Sequence, residues 1–170
     1  HSCARALCDA PRNLSDPMIK ALAAKGGVVQ VNFYGAYLSA EYARQEDETR
    51  RRLAPARQRL KEQYQDNRSE YIRKVMELME AEGPKPPGLD VLIDHIDHIV
   101  RLAGVDHVGL GSDFDGASGY PAGLEDVTGF PLITYHLLKR GYRESDIVKI
   151  LGGNLLRVFE TNERLSRRQP

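Results

Sequence analysis

A glycine-rich segment, Gly109–Gly116, carries carboxylates directly after a predicted strand. The strand is the apolar run Val108–Gly111, and the carboxyl ends of parallel strands are where α/β enzymes hold their catalytic groups. Asp113 can project from this edge, while Asp115-Gly116 is typical of a turn that releases the chain into a loop. The segment fits neither a dinucleotide fingerprint nor a phosphate-binding Walker loop, and it lacks the final glutamate of an EF-hand. It therefore predicts a catalytic carboxylate.

The composition is that of an ordinary globular domain. The 170 residues are 41% hydrophobic and 28% charged, which is compatible with one domain and a sizeable core. The 24 basic and 24 acidic side chains balance, which disfavours nucleic acid as a partner. No apolar run reaches the ~20 residues needed to cross a bilayer. The sequence starts at His1 without a secretory signal, so a cytoplasmic and a periplasmic or extracellular location both stay open.

Strand and helix patterns alternate along the chain. Asp16-Pro17 predicts a helix with Asp16 as its N-cap, and the β-branched run from Val28 to Phe33 predicts a buried parallel strand. Residues 39–87 form a charge-rich excursion of two or three helices, either a rim or dimer contact or a solvated insertion. Cys3 and Cys8 form neither a CxxC motif nor a zinc knuckle, so we expect free structural thiols.

The second half continues the alternation. A helix from Leu89 to Ala103 precedes the Val108 strand, and three amphipathic stretches follow, at about 130–140, 145–151 and 154–165. The predicted class is therefore α/β. Two complete strands cannot form a stable parallel sheet alone, so we expect this chain to be part of a larger α/β barrel.

These motifs resemble the C-terminal half of the membrane (renal) dipeptidase family, which consists of zinc-dependent (β/α)8 barrels of the TIM type. The likeness spans nearly the whole chain, and its ordered set of segments is the signal. The segments are His1-Ser2, Pro11-Arg12-Asn13-Leu14, Val31-Asn32-Phe33-Tyr34, Asp94-His95-Ile96-Asp97-His98-Ile99, Gly109–Gly116, Gly123-Leu124-Glu125-Asp126-Val127 and Asn154-Leu155-Leu156-Arg157-Val158-Phe159. It implies that 1–170 is the C-terminal part of one barrel domain, with 39–87 as a helical excursion.

The resemblance also implies a site. His1 corresponds to a zinc ligand, Arg12 to the arginine that binds the substrate's carboxylate, and Asp113 to the carboxylate that moves a proton between water and the leaving amine. Tyr37 lies near the sequence position at which the family has a tyrosine in its substrate pocket. The family uses two zinc ions per complete barrel, and its His-x-Asp pair, bridging glutamate and a further histidine would all lie upstream of His1. Most metal ligands are therefore expected outside this chain.

Each of these residues also has an ordinary structural interpretation. A terminal histidine such as His1 is often a frayed end, an arginine such as Arg12 is often a plain loop residue, and Arg5 is a local competitor for the anchoring role. His95 and His98 are expected on the solvated face of their helix, opposite Ile93, Ile96 and Val100, rather than in a metal site. His107 and His136 are expected to be structural.

The resemblance predicts hydrolysis of dipeptides by a metal-bridging hydroxide, with the N-terminal half of the same barrel as partner. Two alternatives stay open. One is another amidohydrolase-type hydrolase on the same barrel. The other is a non-catalytic half-barrel that binds a partner or a peptide.

Overall fold

The computed structural model describes residues 1–167 and is built around a short parallel sheet. Strand β1 (Val29–Val31) pairs in parallel with β2 (Val108–Leu110), with Val29 opposite Val108. On the other side of β1, Ser2 forms a parallel bridge with Val31, and its N–H donates to the carbonyl of Gln30 at 2.9 Å. The start of the chain therefore continues the sheet. The α/β class is confirmed.

Helices surround these strands. Their bounds are α1 (Asp16–Ala24), α2 (Gly35–Leu38), α3 (Ala40–Arg52), α4 (Ala54–Gln63), α5 (Arg68–Glu82), α6 (Leu89–Ala103), α7 (Phe130–Lys139), α8 (Glu144–Val148) and α9 (Asn154–Ser166). A wide turn, Lys149–Gly153, joins α8 to α9. Residues 39–87 contain α3, α4 and α5. Pro55 lies in the first turn of α4, where its missing N–H costs no helical hydrogen bond.

Helix α6 provides much of the core. Leu92, Ile93, Ile96 and Ile99 are fully buried, and they pack in one cluster with Val31, Val108 and Phe33. Burial of this apolar surface is the main contribution to the free energy that holds the helix against the strands.

Two expectations about polar residues were wrong. His95 is fully buried, because α6 contacts its neighbours over a wider arc than a single apolar stripe, and His95 lies at the edge of that arc, next to Ile99. His98 is partly buried and bonds to the Asp16 carboxylate at 2.8 Å. That contact also explains why Asp16 does not cap α1, whose N-cap position is Ser15 without a side-chain hydrogen bond.

Large apolar side chains remain exposed on the C-terminal helices. On and before α9, Val148, Leu156 and Phe159 are 65%, 61% and 66% exposed. None of the helices in residues 1–167 is both long and apolar enough to span a bilayer.

Candidate active site at the strand ends

Three side chains meet at the carboxyl edge of the sheet. The amide nitrogen of Asn32, the residue after β1, lies 3.1 Å from Nδ1 of His1 and donates to Oδ2 of Asp113 at 3.0 Å. Nε2 of His1 faces Oδ1 of Asp113 at 3.5 Å. Asn32 is completely buried, whereas the His1 and Asp113 side chains are 39% and 26% exposed. The structure therefore brings together the two residues predicted here, with a buried amide that holds both.

The backbone around Asp113 is shaped for this approach. Gly111 has no room for a side chain, because a Cβ there would lie 2.9 Å from the Cβ of His1. Asp113 has a φ of +63°, a left-handed conformation that is uncommon for a residue with a side chain. This conformation turns the chain sharply after β2. Such local strain is typical of functional sites.

The loop after Asp113 closes on the same residue. The carbonyl of Asp113 accepts hydrogen bonds from the N–H groups of Gly116 and Ala117, each at 3.1 Å, and from the hydroxyl of Tyr120 at 2.9 Å. Asp115 also has a positive φ, of 65°, and its side chain is exposed. The Asp115 side chain is thus open to solvent, whereas the Asp113 side chain contacts Asn32 and faces His1.

The geometry favours Arg12 over Arg5 as the side chain open to a ligand. The Arg5 guanidinium donates to the carbonyl of Pro11 at 2.9 Å, so it is used to hold the loop. Arg12 is exposed, and within residues 1–167 its side chain makes no hydrogen bond or ion pair with another residue. Its carbonyl accepts from the Ser2 hydroxyl at 2.8 Å, which ties Arg12 to the residue beside His1.

Asn13 connects this loop to helix α2. Its amide nitrogen donates to the carbonyls of Cys8 and Tyr37, both at 2.8 Å, and its oxygen accepts from the N–H of Cys3 at 3.2 Å. Tyr37 lies on α2, partly buried, with its ring edge-to-face against Tyr34 at 4.9 Å between centroids. The Arg12 loop and the Tyr37 helix are therefore held together through the buried Asn13.

His95 makes a second connection of the same kind. Its Nδ1 accepts from the N–H of Ala4 at 3.1 Å and its Nε2 donates to the carbonyl of Leu38 at 3.0 Å. Burial lowers the pKa of His95, which keeps the imidazole neutral and able to accept and donate at once. The residue is a structural bridge between the start of the chain and α2.

The other two histidines expected to be structural, and the two cysteines, make contacts within the protein or are buried. His107 donates to the carbonyl of Gly27 at 2.8 Å, and His136 pairs with Asp90 at 3.1 Å. Cys3 and Cys8 are free and buried, and burial raises the pKa of Cys3 to about 12, so it is an inert thiol.

Sequence reasoning missed Asn32, Asn13 and His95 as members of this network. One signal was available for Asn32, because it directly follows a predicted strand at the edge where Asp113 was expected. For Asn13 and His95 the partners are backbone groups of distant segments, which no local pattern reveals.

The donors at the strand ends are suitable for a metal but too few to complete a site. Imidazole and carboxylate are both zinc ligands. Within residues 1–167, however, no cluster of three or more His, Cys, Asp or Glu side chains could hold a metal ion.

Comparison with known proteins identifies the family. The sequence profile described as membrane dipeptidase (Peptidase family M19) matches residues 1–170. Dipeptidase aclJ of Aspergillus oryzae is 33% identical over 167 residues, which are 98% of this chain and 30% of that protein. An uncharacterized protein in the pqqA 5' region of Klebsiella pneumoniae is 34% identical over 160 residues, 94% of this chain and 44% of that protein.

Solved structures agree. The probable dipeptidase PvdM from Pseudomonas aeruginosa is 35% identical, with a TM-score of 0.66 over 92% of this chain and 42% of that one. A metallo peptidase from Rhodobacter sphaeroides, liganded with a phosphinate mimic of the dipeptide L-Ala-D-Ala, is 26% identical, with a TM-score of 0.65 over 94% of this chain and 34% of that one. The chain thus spans less than half the length of these relatives, and it belongs to the membrane dipeptidase family, Peptidase family M19.

Proposed function

We propose that this chain supplies the C-terminal half of the barrel of a zinc-dependent dipeptidase, which hydrolyses the peptide bond of a dipeptide. The observation that carries the proposal is the meeting of His1, Asn32 and Asp113 at the carboxyl edge of a parallel sheet, in a member of a dipeptidase family. That edge is where barrel enzymes assemble their catalytic groups.

The exposed apolar helices support a partner polypeptide. Leu156 and Phe159 on α9 are 61% and 66% exposed, and Leu138 on α7 is 48% exposed. Surfaces of this kind mark contacts with other protein. The occupant we propose is the N-terminal half of the same barrel, which would add strands at the edges of the short sheet and bring the missing metal ligands.

His1 is the metal ligand that this chain contributes. Its imidazole is partly exposed at the strand end, and Asn32 holds its ring from the protein side at 3.1 Å. Two bound zinc ions would polarise the scissile carbonyl and make water a nucleophile at neutral pH.

Asp113 is the proton-transfer group. Its Oδ2 is tied to Asn32 at 3.0 Å, which leaves Oδ1 on the side of His1, 3.5 Å from Nε2. A carboxylate held in this way can take the proton of the attacking water and return it to the departing amine. Amide hydrolysis needs both transfers, because a neutral amine is the leaving group.

Arg12 is the anchor for the substrate's terminal carboxylate. Its guanidinium is exposed and its backbone is bonded to Ser2, next to His1. A planar guanidinium grips a carboxylate through two parallel hydrogen bonds, which would select substrates with a carboxylate at a set distance from the scissile bond. We propose that Tyr37 lines the same pocket, since Asn13 links its helix to the Arg12 loop.

The test is mass and metal analysis of the native protein together with a substrate panel. We expect a second polypeptide or polypeptide segment, about two zinc ions per barrel, and hydrolysis of dipeptides that a chelator abolishes and zinc restores. Preference for a lactone or a phosphotriester over every dipeptide would point to another amidohydrolase-type hydrolase instead.

A non-catalytic half-barrel is the second candidate, favoured by the incomplete set of metal donors in residues 1–167. Native protein that contains no metal and binds a dipeptide without cleaving it would support this alternative.

A further inference from the structure

Helix α3 buries a carboxylate. The buried face of this helix consists of Tyr42, Glu46 and Thr49, and Leu53 at the end of the helix extends it. The Glu46 side chain is only 5% exposed. Taking a carboxylate out of water is costly unless hydrogen bonds compensate, so the partners of Glu46 explain why it is there.

Those partners belong to two different strand-end loops. The hydroxyl of Tyr34, which follows β1, donates to Oε2 of Glu46 at 2.5 Å. The hydroxyl of Ser118, in the loop after β2, donates to Oε1 at 3.3 Å. Arg50 approaches from the exposed side, 3.4 Å from Oε2. Burial, reinforced by the bond to Glu46, raises the pKa of Tyr34, which keeps the phenol protonated as a donor. One carboxylate therefore joins both loops.

Tyr42 makes an independent contact with the same two loops. A Cβ at Gly35 would lie 2.8 Å from Cδ1 of Tyr42, and a Cβ at Gly119 would lie 1.9 Å from its hydroxyl oxygen. Both glycines therefore let the loop backbones touch the ring. The loops also bond to each other, since the N–H of Gly35 donates to the carbonyl of Ser118 at 3.4 Å.

We propose that the buried face of α3 clamps the two strand-end loops together, and that Glu46 is a positioning residue that keeps Asp113 opposite His1. The link from Ser118 to Asp113 is short, because the N–H groups of Gly116 and Ala117 already bond to the Asp113 carbonyl. The clamp itself is a structural claim. Its effect on catalysis rests on the proposed dipeptidase function.

The first experiment measures amide hydrogen exchange in the native protein. Glu46→Ala removes both hydrogen bonds, and exchange at Gly116 and Ala117 should become about 10-fold faster or more, since a hydrogen bond to a charged group contributes about 1.5–3 kcal/mol. Glu46→Gln keeps an acceptor for Tyr34 and a donor for Ser118, so it should restore slow exchange. Glu48→Ala is the matched control, because Glu48 is exposed on the same helix and, among residues 1–167, forms an ion pair only with Arg44.

The second experiment measures steady-state kinetics on a dipeptide. Glu46→Ala should lower kcat about 10-fold or more at equal zinc content with little change in KM, and Glu46→Gln should recover most of it. Unchanged exchange in Glu46→Ala would overturn the clamp, and faster exchange with normal kcat would overturn the positioning role. If Glu46→Ala does not fold, Tyr34→Phe and Ser118→Ala each remove one half of the clamp and should each produce a smaller increase in exchange. If the wild type cleaves no dipeptide, the proposed function fails while the exchange comparison still decides the clamp.

Discussion

The strand-end site and the helical insertion, residues 39–87, use polar side chains in opposite ways. At the site, hydrogen bonds join distant positions, such as Asn32 to Asp113, 81 residues apart, and Ala4 to His95, 91 residues apart. In the insertion, most bonds are local, as between Arg44 and Glu48, four residues apart. Bonds between distant segments fix tertiary geometry, whereas local pairs stabilise single turns of helix.

Burial follows the same division. Helices α4 and α5 contain no buried residue, while α3 contributes Tyr42, Glu46 and Thr49 to the interior. Of the three helices of the insertion, α3 is therefore the one that contributes buried side chains. Charge density alone therefore does not identify a solvated insertion, because one carboxylate in the charged run contacts both loops of the site.

The largest expected effect is at Asp113. Asp113→Asn preserves size and the hydrogen-bonding turn but removes proton exchange, so kcat for a dipeptide should fall about 10²–10⁴-fold. Zinc content should be unchanged, because the proposed ligand in this chain is His1. Asp115→Asn, in the same turn, is the control and should cost far less. Equal activity of Asp113→Asn and wild type at equal zinc occupancy would leave Asp113 as a strand-end turn residue.

The next largest effect is expected on the stability of the fold when His95 is replaced. His95→Leu has similar volume but leaves the N–H of Ala4 and the carbonyl of Leu38 unpaired in the interior. We expect a loss of about 2–5 kcal/mol in the free energy of unfolding, measured by denaturant titration. His136→Gln, which affects a pair with the exposed Asp90, should cost less than about 1 kcal/mol. Similar losses in the two variants would contradict the bridging role of His95.

Arg12 should affect substrate binding. Arg12→Lys replaces a two-pronged donor with a point charge, so KM for a dipeptide should rise about 10–100-fold while kcat changes little. The assay is steady-state kinetics on the native protein. Arg5→Lys should instead loosen the loop that Arg5 holds through Pro11, and an effect confined to Arg5 would move the anchor there.

Acid should weaken the fold through His95. Burial lowers its pKa, so the folded state excludes a proton that the unfolded state binds below the ordinary value of 6.5. The stabilisation is complete above that value and is lost as the pH falls through the lowered folded pKa. Asp94 and His98 are the charged neighbours that modify it. The free energy of unfolding at pH 7.5, 6.5 and 5.5 should therefore fall more steeply in wild type than in His95→Leu, and parallel profiles would refute this origin.

The smallest effect is expected in the outer insertion. Arg73 on α5 pairs with Glu70 and Glu77 on the same helix, and all three lie at the surface. Arg73→Ala should leave kcat, KM and the unfolding midpoint unchanged, because exposed ion pairs contribute little. A clear loss of activity in this variant would mean that the outer helices also contact the site.

Local patterns of apolar residues, glycine and proline predicted the strands, most helix bounds and the position of Asp113 directly after β2. Periodicity also predicted most of the buried face of α6, although it placed His95 on the wrong side. The error arose because periodicity assumes one buried stripe along a helix, whereas α6 packs against neighbours on several sides and its buried arc is wider.

Which polar groups meet depends on how the elements pack together. Four polar side chains bond to segments far away in the chain: Asn13, Asn32, Glu46 and His95. These bonds depend on the register of β1 with β2 and on how α3 and α6 pack against the strands. A hydrogen bond between distant segments leaves no periodic trace in the sequence. The same limit applies to Arg5, because nothing in the sequence around this arginine reveals its bond to the carbonyl of Pro11.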